Sequence, residues 1–231
     1  MKQLAFLLTI TLVACAQSER MPDEPPAEEA PVATETVQEI ETLSPRERDQ
    51  RGDERLFVGL FKEAAEDFDA YVEAFPESDP YHWRRGIAYY YAERYEDGAA
   101  QFVRHRTVNP NDVENAAWHF LCVARSDGLD AARSALLPVG PDQRDPMREV
   151  YELYAGRASV EDVLARAGSS RQFDAKFFAH LYLALYFDVL GDLGSARHHI
   201  ALATTEHRRD HYMGRVAQAH AQVLNATSDS K

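Results

Sequence analysis

Residues 81–110, YHWRRGIAYYYAERYEDGAAQFVRHRTVNP, predict two short amphipathic helices joined by a tight turn. The same pattern of residue types occurs 34 positions earlier in the chain. The matching positions are Gly52 with Gly86, Phe61 with Tyr95, Phe68 with Phe102, and Pro76 with Pro110. A fixed period of 34 residues marked by small, aromatic and proline residues is typical of repeated helix pairs. The sequence therefore predicts an all-α protein, a right-handed solenoid of helix–turn–helix repeats over residues 45–225.

Start and stop signals locate the individual helices. Ser44, followed by Pro45 and Glu47, predicts a capping box at the start of the first helix, and Ser159 with Asp162 predicts another. Gly191-Asp192 is expected to form the turn between two later helices. Pro76 is expected to end the second helix, and residues 79–80, Asp-Pro, to open the third. The period then weakens, and we expect further helices over residues 111–124, 129–137, 146–155, 159–167, 173–190, 193–206 and 211–224.

The first fifteen residues, MKQLAFLLTITLVAC, have the pattern of a secretory signal. Lys2 precedes a mostly apolar core of ten residues, which is too short to span a bilayer. Residues 12–15, Leu-Val-Ala-Cys, resemble the lipobox of bacterial lipoproteins. This resemblance implies a signal peptide over residues 1–14, lipid on the Cys15 thiol and an acylated new amino terminus, which together anchor the chain stably. In a Gram-negative envelope, the sorting of such lipoproteins would favour the outer membrane, since Ala16 rather than Asp follows the cysteine. An ordinary signal peptide that ends near a cysteine is the alternative.

The next segment has the composition of a tether. Between residues 16 and 44 the chain carries eight acidic side chains, one basic side chain, four prolines and no aromatic residue. Such a segment buries too little apolar surface to offset the entropy lost on ordering. We expect residues 15–44 to form a lipidated, disordered acidic tether, with a docking strip for a basic partner as the alternative. Residues 226–231 are expected to be a disordered tail.

Net charge and fold class indicate which kinds of function to expect. The net charge of −13 argues against binding nucleic acid, because a phosphate backbone needs a basic protein face. Solenoids of helix pairs present extended surfaces that bind other proteins. We therefore expect a binding protein without enzymatic activity, catalytic residues or a cofactor.

Two parts of the chain resemble known families. The residues Gly59, Phe61, Ala64, Phe68, Tyr71 and Pro76 follow the pattern of the tetratricopeptide repeat. The segments YELYAGRASVEDVLARA at 151–167 and YLALYFDVLGDLGSARHHIALA at 182–203, behind a lipobox, resemble the NlpI family of bacterial envelope lipoproteins. This resemblance implies an outer-membrane adaptor that faces the periplasm, binds peptidoglycan hydrolases and a protease, and influences cell-wall turnover and division. It also implies a homodimer, although the proline-rich region before Ser44 departs from the N-terminal helices through which family members pair.

Aromatic residues of the second repeat are candidates for contact with a partner. In a tetratricopeptide array the first helix of each pair lines the concave surface, and Gly86 and Tyr89 mark its inward stripe. The residues predicted to face the groove are Trp83, Arg84, Ile87, Tyr90 and Tyr91. Aromatic and arginine side chains are common anchors of protein interfaces. The alternative is that Tyr90 and Tyr91 pack against a neighbouring repeat.

Histidine and cysteine residues allow further interpretations. His207 and His211 are four residues apart, a spacing that binds zinc when both lie on one helix. The intervening Arg-Arg-Asp lies between a helix end and the next cap, so we predict a structural or surface role and no metal site. Cys122 follows His119 by three residues, but its apolar neighbours favour a buried thiol over a nucleophile.

Two other functions stay open at this stage. One is a tetratricopeptide lipoprotein that helps to assemble outer-membrane proteins or a pilus secretin. The other is a metal-dependent hydrolase around His207 and His211, which lacks a glycine-rich loop and a paired acid–base set.

Overall fold

The computed structural model describes residues 43–226, and all regular elements within this range are helical. The α-helices are α1 (Pro45–Phe57), α2 (Phe61–Ala74), α3 (Trp83–Tyr91), α4 (Tyr95–Arg106), α5 (Val113–Asp127), α6 (Leu129–Ser134), α7 (Met147–Tyr154), α8 (Val160–Ser169), α9 (Ala175–Leu190), α10 (Leu193–Thr204) and α11 (Tyr212–Ala226). A 3-10 helix (Pro76–Tyr81) lies between α2 and α3. The all-α prediction is confirmed for these residues.

Consecutive helices pack against each other along the chain. Within pairs, α1 contacts α2, α3 contacts α4 and α9 contacts α10; between pairs, α2 contacts α3 and α4 contacts α5. First helices of different pairs also meet, because α5 contacts α3, α7 and α9. The last helix, α11, packs against both α10 and α1. Repeats of a simple solenoid contact only their neighbours, so the contact between α1 and α11 is a feature that the period did not predict.

One close contact recurs at the predicted period. A Cβ atom at Gly52 would lie 2.5 Å from Cε1 of Phe68, and one at Gly86 would lie 2.6 Å from Cζ of Phe102. Both phenylalanine rings are buried, with at most 1% of either residue exposed. The two helices of each pair therefore approach at a glycine, and the predicted correspondence of these four residues is confirmed.

Several predicted helix ends are also confirmed. Ser44 and Glu47 form the capping box at α1, and Ser159 and Asp162 form the second one at α8. Gly191 ends α9 in the left-handed region at φ +79°, where glycine has no steric cost. Local side-chain chemistry therefore determines where these helices begin and end.

Other boundaries differ from the prediction. Residues 79–80 lie inside the 3-10 helix, and α3 begins at Trp83, because the His82 side chain accepts a hydrogen bond from the backbone N–H of Arg85 (3.2 Å). Helix α9 begins at Ala175 rather than at residue 173, since the Phe173 ring lies outside the helix beneath the guanidinium of Arg209 (3.8 Å). Helix α6 ends at residue 134 instead of 137, α10 ends at 204 instead of 206, and α11 extends to 226.

The signal peptide, Cys15, Ala16 and nearly all of the tether and tail lie outside the described residues. Their assignments stay predictions. Among helices within residues 43–226, none combines the length and the apolar character that spanning a membrane requires.

The recurring glycine contact generates a stability prediction. We expect Gly86→Ala to lower the free energy of unfolding by about 1 to 3 kcal/mol, because the added methyl group overlaps the Phe102 ring. The better helix propensity of alanine, up to about 1 kcal/mol, offsets only part of this cost. Gly168→Ala in α8 is the matched control, since within residues 43–226 no side chain and no backbone of another segment lies within 4 Å of its Cβ position. Urea unfolding of both variants checks this, and equal stability of the two would contradict it.

Candidate protein-binding site

The structure places all five residues predicted for partner contact on α3, and the chain's own side chains contact each of them. Ile87 and Tyr90 are buried, whereas Trp83, Arg84 and Tyr91 are partly exposed. Tyr90 packs edge-on against Trp118 of α5 (ring centroids 5.4 Å apart), as the packing alternative predicted. Further side-chain contacts of α3 reach back to α1 and forward to α11.

An ion-pair network joins α3 to α1 through Arg84. Its guanidinium bonds both carboxylate oxygens of Asp49 (2.9 and 2.7 Å) and also pairs with Asp53. Burial raises the pKa of the Asp53 carboxyl, although Arg84 opposes this rise. The same carboxylate accepts a hydrogen bond from the hydroxyl of Tyr212 (2.9 Å). Three helices therefore meet at Asp53.

Tyr212, the first residue of α11, lies between two aromatic rings. Its ring contacts Phe57 of α1 and Trp83 of α3 edge-on, with both pairs of centroids 4.9 Å apart. One turn later the guanidinium of Arg215 lies 3.8 Å from the centre of the Phe57 ring. Edge-to-face and cation–π contacts add to the free energy of apolar burial, so this end of α11 is held by specific geometry.

The middle of α11 is less well matched. His220 is fully buried, and its ring lies 6.0 Å from that of Tyr91 and its Nε2 4.0 Å from a carboxylate oxygen of Asp188. Neither ring nitrogen of His220 has a hydrogen-bond partner within the described part of the chain, nor does the Tyr91 hydroxyl. Buried polar groups are normally hydrogen-bonded, so leaving these three atoms without partners costs free energy. We call the surface formed by Asp53, Phe57, Trp83, Tyr91 and Asp188 the α11-binding face.

A cavity of about 500 Å³ lies beside the first residues of α11. Its aromatic lining consists of Trp83, Phe102, Trp118, Phe173, Phe178, His105, His211 and Tyr212. Its other lining side chains are Asn109, Asp112, Glu114, Asn115, Arg144, Gln172, Asp174 and Met213. Phe173 is 80% exposed, so the cavity opens to solvent at this ring. An aromatic concavity with polar groups at its edge is the usual form of a binding site.

The charged groups of the cavity are paired with one another. Arg144 bonds Asp112 and Asp142, both at 2.6 Å, and also pairs with Glu114. Burial raises the pKa of Glu114, whose other oxygen accepts a hydrogen bond from Tyr182 (2.5 Å). These charges therefore fix the loop around Arg144 onto α5, and the aromatic surface is what the cavity offers to a ligand.

The histidine and cysteine candidates do not assemble into one site. His207 stacks on His180 (5.1 Å between centroids), whereas His211 stacks on Phe178 (6.0 Å). Both lie within the non-helical segment 205–211, so they do not share a helix. Over residues 43–226, no three metal-binding side chains are grouped for coordination. Cys122 is fully buried, and burial raises the pKa of its thiol.

Sequence reasoning missed Tyr212, Arg144 and Phe173, which build the site from three separate segments. The sequence did offer a local signal for Tyr212, because it is an aromatic residue in the first turn of the last predicted helix (residues 211–224). Arg144 stands in a loop two residues after Asp142, with no periodic pattern to mark it. A scan of the chain against models of known protein families finds no match.

Burial of histidine side chains generates a prediction about pH. Burial lowers the pKa of His220 to about 4, against about 6.5 in an unfolded chain. Between these values the unfolded state binds more protons, so stability is present above pH 6.5 and is lost as the pH falls towards 4. We expect His220→Leu to reduce the slope of unfolding free energy against pH in this window, by at most about 1.4 kcal/mol per pH unit.

Thermal and urea unfolding between pH 7.5 and 4 measure this slope. His211→Leu is the control, because His211 is exposed and leaves the buried histidine in place. If His220→Leu leaves the slope unchanged, the pKa of His220 does not differ between the folded and unfolded states, which would contradict the prediction.

Proposed function

We propose that this chain is a lipid-anchored adaptor of the bacterial envelope, a tetratricopeptide-like right-handed solenoid that binds periplasmic proteins. The observation that carries this proposal is the repeated helix pair, with the same glycine–phenylalanine contact at Gly52 and Gly86. Repeats of this period serve mainly as scaffolds for other proteins. The aromatic cavity beside Trp83 supplies an accessible place for such a partner.

The resemblance to the NlpI family supports the partner class. It points to peptidoglycan hydrolases and a protease, and hence to an influence on cell-wall turnover and division. The resemblance covers most of residues 45–215. Its most distinctive parts are residues 153–167, in α7–α8, and the Leu-Gly-Asp-Leu turn at 190–193, between α9 and α10. The lipobox at residues 12–15 supports attachment through Cys15 to the outer membrane, with the folded part facing the periplasm.

Photochemical crosslinking in cells tests the adaptor function. A photoreactive phenylalanine at position 173, at the mouth of the cavity, is expected to capture hydrolases or a protease of the envelope. The matched control is position 81, because Tyr81 is also an exposed aromatic residue (65%) but does not line the cavity. Mass spectrometry identifies the products. If position 173 captures nothing beyond what position 81 captures, partner binding at the cavity is excluded.

Membrane attachment is tested through the two cysteines of the chain. We expect Cys15→Ser to abolish lipidation and to shift the protein from the membrane fraction to the soluble envelope fraction, because no acyl chain then holds it. Cys122→Ser is the control and is expected to leave the protein in the membrane fraction, since that side chain is buried within the helical part. Membrane fractionation and mass spectrometry of the amino terminus measure the outcome. Retention of the Cys15→Ser protein in the membrane would refute the lipobox assignment.

A further inference from the structure

The last helix of the described chain covers residues that the sequence predicts to bind a partner. We propose that α11 is an intramolecular occupant of the α11-binding face, and that an amphipathic helix of a partner protein replaces it. This inference rests on the proposed adaptor function only for the identity of the partner protein. The exchange of one helix for another is a property of this chain alone and can be measured without the partner.

Helix α11 shows which helix this face accepts. Its contacts begin with an aromatic hydroxyl at Tyr212 and continue with the guanidinium of Arg215 three residues later. Ala219 is fully buried one to two turns further on, and Leu224 is buried near the end of the helix. A partner helix with an aromatic residue, a basic residue at +3, a small residue at +7 and a large apolar residue at +12 would reproduce these contacts.

The fit of α11 to this face is incomplete in two places. Beside its first turn, a cavity of about 500 Å³ borders Trp83 and Tyr212 and is not filled by α11. In its middle, both nitrogens of His220 and the hydroxyl of Tyr91 are buried and have no hydrogen-bond partner among residues 43–226. A foreign helix that fills the cavity or replaces the imidazole can therefore bind this face more tightly than α11 does.

The connection to α10 permits the exchange. Residues 205–211 join α10 to α11 without regular helix, so α11 is tethered by seven residues. A tether of this length gives an effective concentration of about millimolar, which a competing helix has to exceed. Release also breaks the hydrogen bonds from Arg197 to the carbonyl oxygen of Leu224 (3.1 and 3.0 Å). The unmodified chain is therefore expected to be closed most of the time and to bind a competing helix weakly.

A fluorescent peptide with the sequence of residues 209–226 is the probe for this exchange. Binding to the mature full-length protein is measured by fluorescence anisotropy. We expect Tyr212→Ala in the protein to increase peptide affinity about tenfold, because it weakens the internal helix and leaves the rest of the face intact. A peptide with His220→Leu is expected to bind this variant more tightly than the native-sequence peptide, since it buries no unpaired imidazole.

A covalent lock separates exchange from binding elsewhere on the surface. Two cysteines are introduced into the Tyr212→Ala protein, by Val58→Cys and Gln222→Cys, and are joined by a short bismaleimide. Val58 is 65% exposed, and the Gln222 side chain lies 4.0 Å from the Cβ position of the neighbouring Gly59. The locked protein is expected to lose peptide binding, while the same protein before crosslinking keeps it. Equal binding by locked and unlocked protein, or no gain from Tyr212→Ala in a folded variant, would overturn the proposal. Neither result bears on the crosslinking experiment in cells, so the two proposals fail separately.

Discussion

The ring of Tyr212 joins the two ends of the described chain. It lies between Phe57 and Trp83, and its hydroxyl donates to Asp53, 159 residues earlier in the sequence. In an open array of repeats the first and last helices do not meet, so this contact between α1 and α11 adds a constraint that an open array lacks. If α11 detached, its buried side, from Met213 to Leu224, would be exposed to water at a cost in free energy that scales with its apolar area. The closed arrangement therefore depends on one aromatic cluster formed by α1, α3 and α11.

Arginines that each pair with several carboxylates hold the same region together. Arg84 links α3 to two aspartates of α1, and Arg144 links a loop to three acidic side chains around the start of α5. Burying charges is costly even when they are paired, so such networks contribute less to net stability than their number implies. We interpret them as specifying which segments meet. They also neutralise acidic groups next to the cavity, in a chain of net charge −13, and leave its aromatic surface available to a partner.

The sequence predicted what depends on local or periodic signals. The glycine–phenylalanine contacts followed from the 34-residue period, and the capping boxes at Ser44 and Ser159 followed from residue types three positions apart. The contacts of Tyr212 were not predictable, because nothing in the period states that the last helix returns to the first. Tyr90 illustrates the same limit, since its outward or inward orientation depends on Trp118 of the following pair. The start of α9 shifted because a distant arginine, Arg209, holds the Phe173 ring outside the helix.

The central claim is that α11 belongs to the fold but opens more readily than the helices it covers. Hydrogen–deuterium exchange of the purified protein tests this most directly, because it reports the opening free energy of each helix separately. Backbone amides of α11 (Tyr212–Ala226) are expected to exchange markedly faster under native conditions than those of the buried helix α9 (Ala175–Leu190). Equal protection of the two helices would mean that α11 is released only by global unfolding, which would contradict its role as an exchangeable occupant.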